Sequence, residues 1–124
     1  MKEKTSLALH NTESCSGMMR PTKDALDILS GKWKLQILIA LMFGKKRFSQ
    51  IQAEVTGITP KMLSKELKEL EINELAVRYV YDTVPVSVEY EITAYGKTLE
   101  PVLVVLTEWG RTHRKRVIAG SKKK

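Results

Sequence analysis

Residues 58–75 read ITPKMLSKELKELEINEL. Wound as a helix from Pro60 at about 100° per residue, this stretch puts Leu63, Leu67 and Leu70 on one face and Lys61, Lys65 and Lys68 almost opposite. Thr59 is placed to cap the helix, because its hydroxyl can accept an otherwise unpaired backbone N–H. Pro60 fits the first helical position, where no N–H is needed. A helix anchored behind by leucines and carrying lysines from its first turn has the form of a major-groove reader. A lysine face also arises from solvation alone, so the neighbouring segments decide.

Upstream, FSQIQAEV (48–55) has Phe48, Ile51 and Val55 at helical spacing, with Ser49 as its expected cap. The turn TGIT, with Gly57 at its bend, joins it to the 58–75 helix as a helix-turn-helix. Downstream, AVRYVY (76–81) and SVEYEI (87–92) alternate and are rich in Val and Tyr, with Asp82, Thr83, Val84 and Pro85 between them. They predict a hairpin in the position of a wing.

Further out, the pattern tightens from Pro21, where Thr22 is expected to cap a short helix with Ala25, Leu26, Ile28 and Leu29 as its apolar stripe and Gly31 as its stop. Residues 32–43 are so apolar that the helix they form should be buried on most sides, the central post of the domain. Gly44 ends it and Lys45, Lys46 and Arg47 make a basic turn. Thr93 caps a last long helix running to about Arg116, with a kink expected at Pro101 and fraying after Gly110. The expected fold class is thus mainly α with a small β-hairpin, a winged helix-turn-helix. Residues 1–19 read as a flexible arm, 20–118 as the domain with its C-terminal helix, and 119–124 as a basic tail.

The chain has 124 residues, 43% hydrophobic and 28% charged, which suits one globular domain. Its net charge of +7 favours polyanionic partners, nucleic acid first. No apolar run is long enough for a membrane span and the N-terminus has no signal-peptide pattern, so the expected compartment is the cytoplasm, with no membrane partner. With Cys15 alone, no intrachain disulfide or thiolate metal cluster is expected. His10 and His113 are isolated, and no carboxylate pair suggests acid–base chemistry, so no enzyme, metal or cofactor is expected. Trp33 and Trp109 fit core packing better than a ligand cavity.

Three linked stretches carry a resemblance: ALDILSGKWKLQILIALMFGKKRFSQI (25–51), GITPKMLSKELKELE (57–71), and VEYEITAYGKTLEPVL (88–103) with TEWG behind it. In this order they resemble the HxlR-type transcription regulators, relatives of the MarR winged-helix group, over roughly residues 20–110. The resemblance implies a homodimer whose first and last helices form the interface, with Leu26, Leu29, Leu99, Val102, Leu103, Leu106 and Trp109 as the expected contacts. It implies a sequence-specific regulator of transcription on a pseudo-palindromic operator in double-stranded DNA, the helix 59–73 in the major groove and the wing 76–92 near the minor groove. Arg47, Ser49, Thr59, Lys61, Ser64, Lys65, Lys68 and Arg78 are the expected DNA contacts.

This chain departs from the family pattern at four places. Relatives commonly carry proline at Asp82 and arginine at Ser87, which weakens the cationic wing here. They usually have glycine at Glu74, so Asn73 is expected to supply the left-handed turn that ends the helix. Some sense oxidants through a cysteine at the position of Arg20. Cys15, five residues earlier, is a weaker candidate redox residue for an oxidant or small-molecule effector. Two other readings fit the charge and spacing less fully: a sequence-independent architectural or RNA-binding basic protein, and a winged-helix protein-interaction module.

Overall fold

The computed structural model describes residues 14–123 and divides at Gly31 into two units. The first holds helix α1 (Cys15–Leu29). Ser14 is its cap, the Gly17 N–H donating to Ser14 Oγ at 3.0 Å. The helix therefore begins well before the expected cap at Thr22, and residues 15–19 of the expected arm are helical. Pro21 is tolerated inside α1, and the Thr22 hydroxyl donates back to the Met18 carbonyl at 2.8 Å instead of capping. Residues 1–13 of that arm, with His10, lie outside the described residues.

The second unit is built around α2 (Lys34–Met42). Then come β1 (Lys46–Arg47), α3 (Phe48–Glu54), α4 (Pro60–Ile72), β2 (Ala76–Tyr81), β3 (Ser87–Ile92), α5 (Ala94–Lys97) and α6 (Glu100–Lys123). On α2, Ile37, Leu38 and Leu41 are fully buried, and the helix packs against α3, α4, β3 and the start of α6. It is the central post, though not buried all round. Phe43 just past its end is 83% exposed, Ile39 faces outward, and the charged Lys34 is buried. Ile51 and Val55 of the α3 segment and Leu63, Leu67 and Leu70 of α4 complete the core with Leu75, Tyr90, Ile92 and Leu103. Each such side chain contributes roughly 1.5–3 kcal/mol relative to exposure.

The hairpin is part of a three-stranded antiparallel sheet in the order β1-β3-β2. β3 pairs with β2 from Ala76↔Ile92 to Tyr81↔Ser87, and with β1 at Lys46↔Tyr90 and Arg47↔Glu89. The expected basic turn is thus an edge strand, too short to show alternation in the sequence.

The last helix is broken, not kinked. α5 ends at Lys97 and Leu99 closes a tight turn on the Gly96 carbonyl. Pro101 is the second residue of α6, where its missing N–H is harmless. Gly96 is required at the join. A Cβ there would collide with the Leu75 carbonyl oxygen and lie 2.6 Å from Ile92 Cγ1. Beyond Gly110, α6 continues through Lys123 instead of fraying, so the expected tail is helical to that point. Trp109 stacks on His113 one turn on, with centroids 5.2 Å apart, and Arg111 pairs with Glu108. Trp109 is 66% exposed and so is no part of the core.

Candidate nucleic-acid interface

The cap of α4 forms as its sequence requires. Thr59 has extended dihedrals, its Oγ1 accepts from the Met62 N–H at 3.2 Å, and Pro60 opens the first turn. Gly57 takes φ +91° in the turn before it, a left-handed geometry that favours glycine. With Leu63, Leu67 and Leu70 turned into the core, Lys61, Ser64, Lys65 and Lys68 are left exposed together on the outer face.

A side-chain network missed by sequence reasoning fixes this helix on α2. Lys34 Nζ lies 2.5 Å from Glu66 Oε1 and 2.6 Å from Glu69 Oε1, with Lys34 and Glu66 both buried. Burial pulls the Lys34 pKa down, but the hydrogen bonds and charges of the two glutamates outweigh it and hold it above 10.5. The hydrogen bond from Lys34 in turn lowers Glu69 below its ordinary 4.5. Sequence periodicity reveals no such pairing across 32 residues.

The far end of α4 closes in a Schellman motif. The Leu75 N–H donates to the Leu70 carbonyl at 2.9 Å and the Glu74 N–H to the Glu71 carbonyl at 2.9 Å, with Leu70 and Leu75 both buried. The left-handed residue is Glu74 itself, at φ 61°, and not Asn73, at φ −88°. Asn73 stays in line because its side-chain amide donates to the Glu69 carbonyl. The Thr93 hydroxyl donates to the Glu74 carbonyl at 2.6 Å, tying the end of α4 to the root of α5.

Next to α4, Arg78 is exposed on β2 opposite Tyr90. Arg78, Ser64, Lys68, Glu71, Ile72 and Tyr90 line one open groove of about 530 Å³. The fold therefore gathers three of the expected DNA contacts, Ser64, Lys68 and Arg78, at one place.

At the start of α3 the cap position is Arg47, whose N–H donates to Gln50 Oε1 at 2.8 Å, so Ser49 lies inside the first turn and does not cap. Ser49 and Arg47 are both exposed, and Arg47 Nε is 3.9 Å from Glu89. The flanking lysines are engaged within the protein. Lys46 pairs with Glu54 at 2.9 Å. Lys45 lies over the Tyr79 ring at 4.7 Å and donates to the Tyr81 hydroxyl at 3.2 Å, the bond that raises its pKa. The wing tip is apolar, with Val84 fully exposed and Val86 63% exposed.

Of the residues expected at a dimer interface, Leu103 is 4% exposed and belongs to the protomer's own core, since the first turns of α6 pack on α2. Val102, Leu106 and Trp109 are exposed, and with Pro101 and Val105 they line an apolar groove of about 540 Å³. Leu99 is half-buried. On α1, Leu26 is exposed and Leu29 half-buried, and Cys15 is an exposed free thiol in the first turn. Among the described residues, no three His, Cys, Asp or Glu side chains are placed to hold a metal, and no helix is long and apolar enough to cross a membrane.

Residues 28–117 match the model of the HxlR-like helix-turn-helix. The chain is 46% identical over 92 residues to the uncharacterized HTH-type transcriptional regulator YtcD of Bacillus subtilis, covering 74% of this chain and 73% of that protein. It is 39% identical over 114 residues to the regulator YybR of the same organism, covering 92% and 86%. Among solved structures, the redox regulator HypR in its reduced form superposes with a TM-score of 0.75 at 38% identity, covering 80% of this chain and 98% of that one.

Proposed function

The chain belongs to the HxlR-like helix-turn-helix family, and we propose that it is a sequence-specific DNA-binding transcription regulator acting as a homodimer on a pseudo-palindromic operator. Its relatives are transcriptional regulators, not enzymes. The observation that carries the proposal is the outer face of α4. Lys61, Ser64 and Lys65 stand exposed from its first two turns, while Lys34 and three buried leucines hold its inner face rigidly. A rigid helix with short and long donors near its N-terminus reads base edges, and Lys68, Arg78, Arg47 and Ser49 then meet phosphates. Thr59 holds the helix start by its cap, with its backbone next to the groove.

The apolar groove of α6 and the stripe of α1 support a two-fold interface, which would set two copies of α4 in successive major grooves about 34 Å apart. An effector that alters this interface would change the spacing and so the affinity. The site of action is the DNA of the cytoplasm. To test the proposal, genomic fragments bound by the protein are selected and the best is competed against random duplex. Specific sequence should win by roughly 10³ or more. A ratio near one would overturn the reading in favour of a sequence-independent binder.

A further inference from the structure

The chain's net charge of +7 is not spread over it. The last fourteen residues, RTHRKRVIAGSKKK, hold seven of its 21 Lys and Arg and none of its 14 Asp and Glu. Residues 1–110 therefore carry fourteen of each and no net charge. Within the winged-helix unit, Lys34, Lys46 and Arg47 face carboxylates and Lys45 lies on tyrosine rings. In the extension, Arg114, Lys115 and Arg116 are exposed and make no ion pair with any described carboxylate, whereas Arg111 pairs with Glu108 on its own helix. From Arg111 through Lys123 this segment is continuous helix, and from the buried Leu103 it projects about 12 Å at Arg111 and about 30 Å at Lys123.

We propose that this C-terminal half of α6 is a second DNA contact, a sequence-independent clamp on the phosphate backbone that acts apart from the reading face of α4. The inference rests on the DNA-binding reading above. Three of the four cations at 111–116 are arginines, whose planar fork takes phosphate oxygens in pairs. The large apolar side chains exposed on the extension are Val117 and Ile118, too small a face to hold a membrane surface beside so many cations. Positions 114, 115 and 116 point in three directions around the helix, which suits phosphates lining both sides of a groove better than one flat acidic patch. Cations with no carboxylate opposite gain the full counterion release when they meet phosphate.

The test uses the full chain carrying R111Q, R114Q, K115Q and R116Q together, glutamine being chosen to preserve helix. The probe is a random 30-base-pair duplex titrated across salt concentrations. The expected result is a drop in the slope of log Kobs against log salt of roughly two to four per protomer, about 0.9 for each phosphate no longer neutralised. Random-duplex affinity at low salt should fall at least ten-fold, while the ratio of selected fragment to random duplex stays unchanged. The variant R114K/R116K, which keeps charge, should stay near the wild-type slope, and an equal loss there would show a packing effect and overturn the proposal. An unchanged slope in the glutamine variant, with binding to poly-L-glutamate lost instead, would also overturn it and assign the extension to acidic proteins. A ratio near one with the slope loss intact would sink the regulator reading and leave the clamp standing. Wild-type protein without salt-dependent duplex binding would end both.

Discussion

Lys34 shows how one side chain outside the exposed lysine face of α4 sets the position of that face. Replacing it with methionine leaves Glu66 buried without its cation, and breaking such a pair costs about 3 kcal/mol. Lys34→Met should therefore lower the urea midpoint strongly, and adding Glu66→Leu should restore most of the loss. The pH dependence follows from the two shifts. Glu69 is depressed, so its share of the stabilisation is present above 4.5 and is lost as pH falls through its lower folded value. Lys34 is raised, so its share holds below 10.5 and is lost as pH rises through its higher folded value. The gap in midpoint between wild type and Lys34→Met should be flat between these limits and narrow outside them. At Glu74, φ 61° costs a side-chain residue roughly 1–2 kcal/mol, partly offset by glycine's larger chain entropy. Glu74→Gly should accordingly stabilise the fold by about 1 kcal/mol in denaturant titration, with DNA binding unchanged. Lys65→Ala is the opposite case, because the side chain is exposed and unpaired among the described residues. It should weaken binding to the selected fragment ten-fold or more and leave the melting temperature within about three degrees. A large stability loss with intact binding would show that the helix face is assigned backwards.

At the level of elements, the parts legible in the sequence are those specified locally. Thr59-Pro60 marks the start of α4, the leucine spacing fixes its buried face, and period-two alternation gives β2 and β3. The remaining elements are specified elsewhere in the chain or by competing signals. β1 is two residues long and exists only because β3 pairs with it. The true start of α1 is masked because Pro21 and Thr22 look like a helix start, whereas Ser14 supplies the actual cap. The break before α6 depends on the close approach of Gly96 to Leu75 and Ile92, a tertiary fact. The same contrast divides the face of α6. Leu103 and Leu106 look alike at helical spacing, yet one is 4% and the other 49% exposed. Leu103→Ala should cost the protomer about 2–5 kcal/mol. Val102→Asp with Leu106→Asp should leave the helical circular dichroism unchanged and give a monomer by light scattering. A dimer that survives both aspartates would move the interface off this face.

For the whole molecule, a winged-helix body without net charge cannot hold DNA by long-range attraction alone, so affinity has to come from placed contacts and, on the proposal above, from the α6 extension. On the homodimer proposed above, discrimination depends on using two copies of α4 at once. In a homodimer the two reading helices are fixed by the interface, and the DNA must offer its half-sites on one face, about one helical turn apart. Inserting five base pairs between the half-sites of the selected fragment turns the second away by half a turn. Binding should fall at least roughly 100-fold, towards the level of random duplex, because only one α4 can then reach its bases. The Val102→Asp/Leu106→Asp monomer should bind the original and the spaced fragment equally weakly, since it has no second helix to align. Wild-type protein that tolerates the insertion would mean that each α4 acts alone. The apolar face of α6 would then be covered by something other than a second copy of this chain.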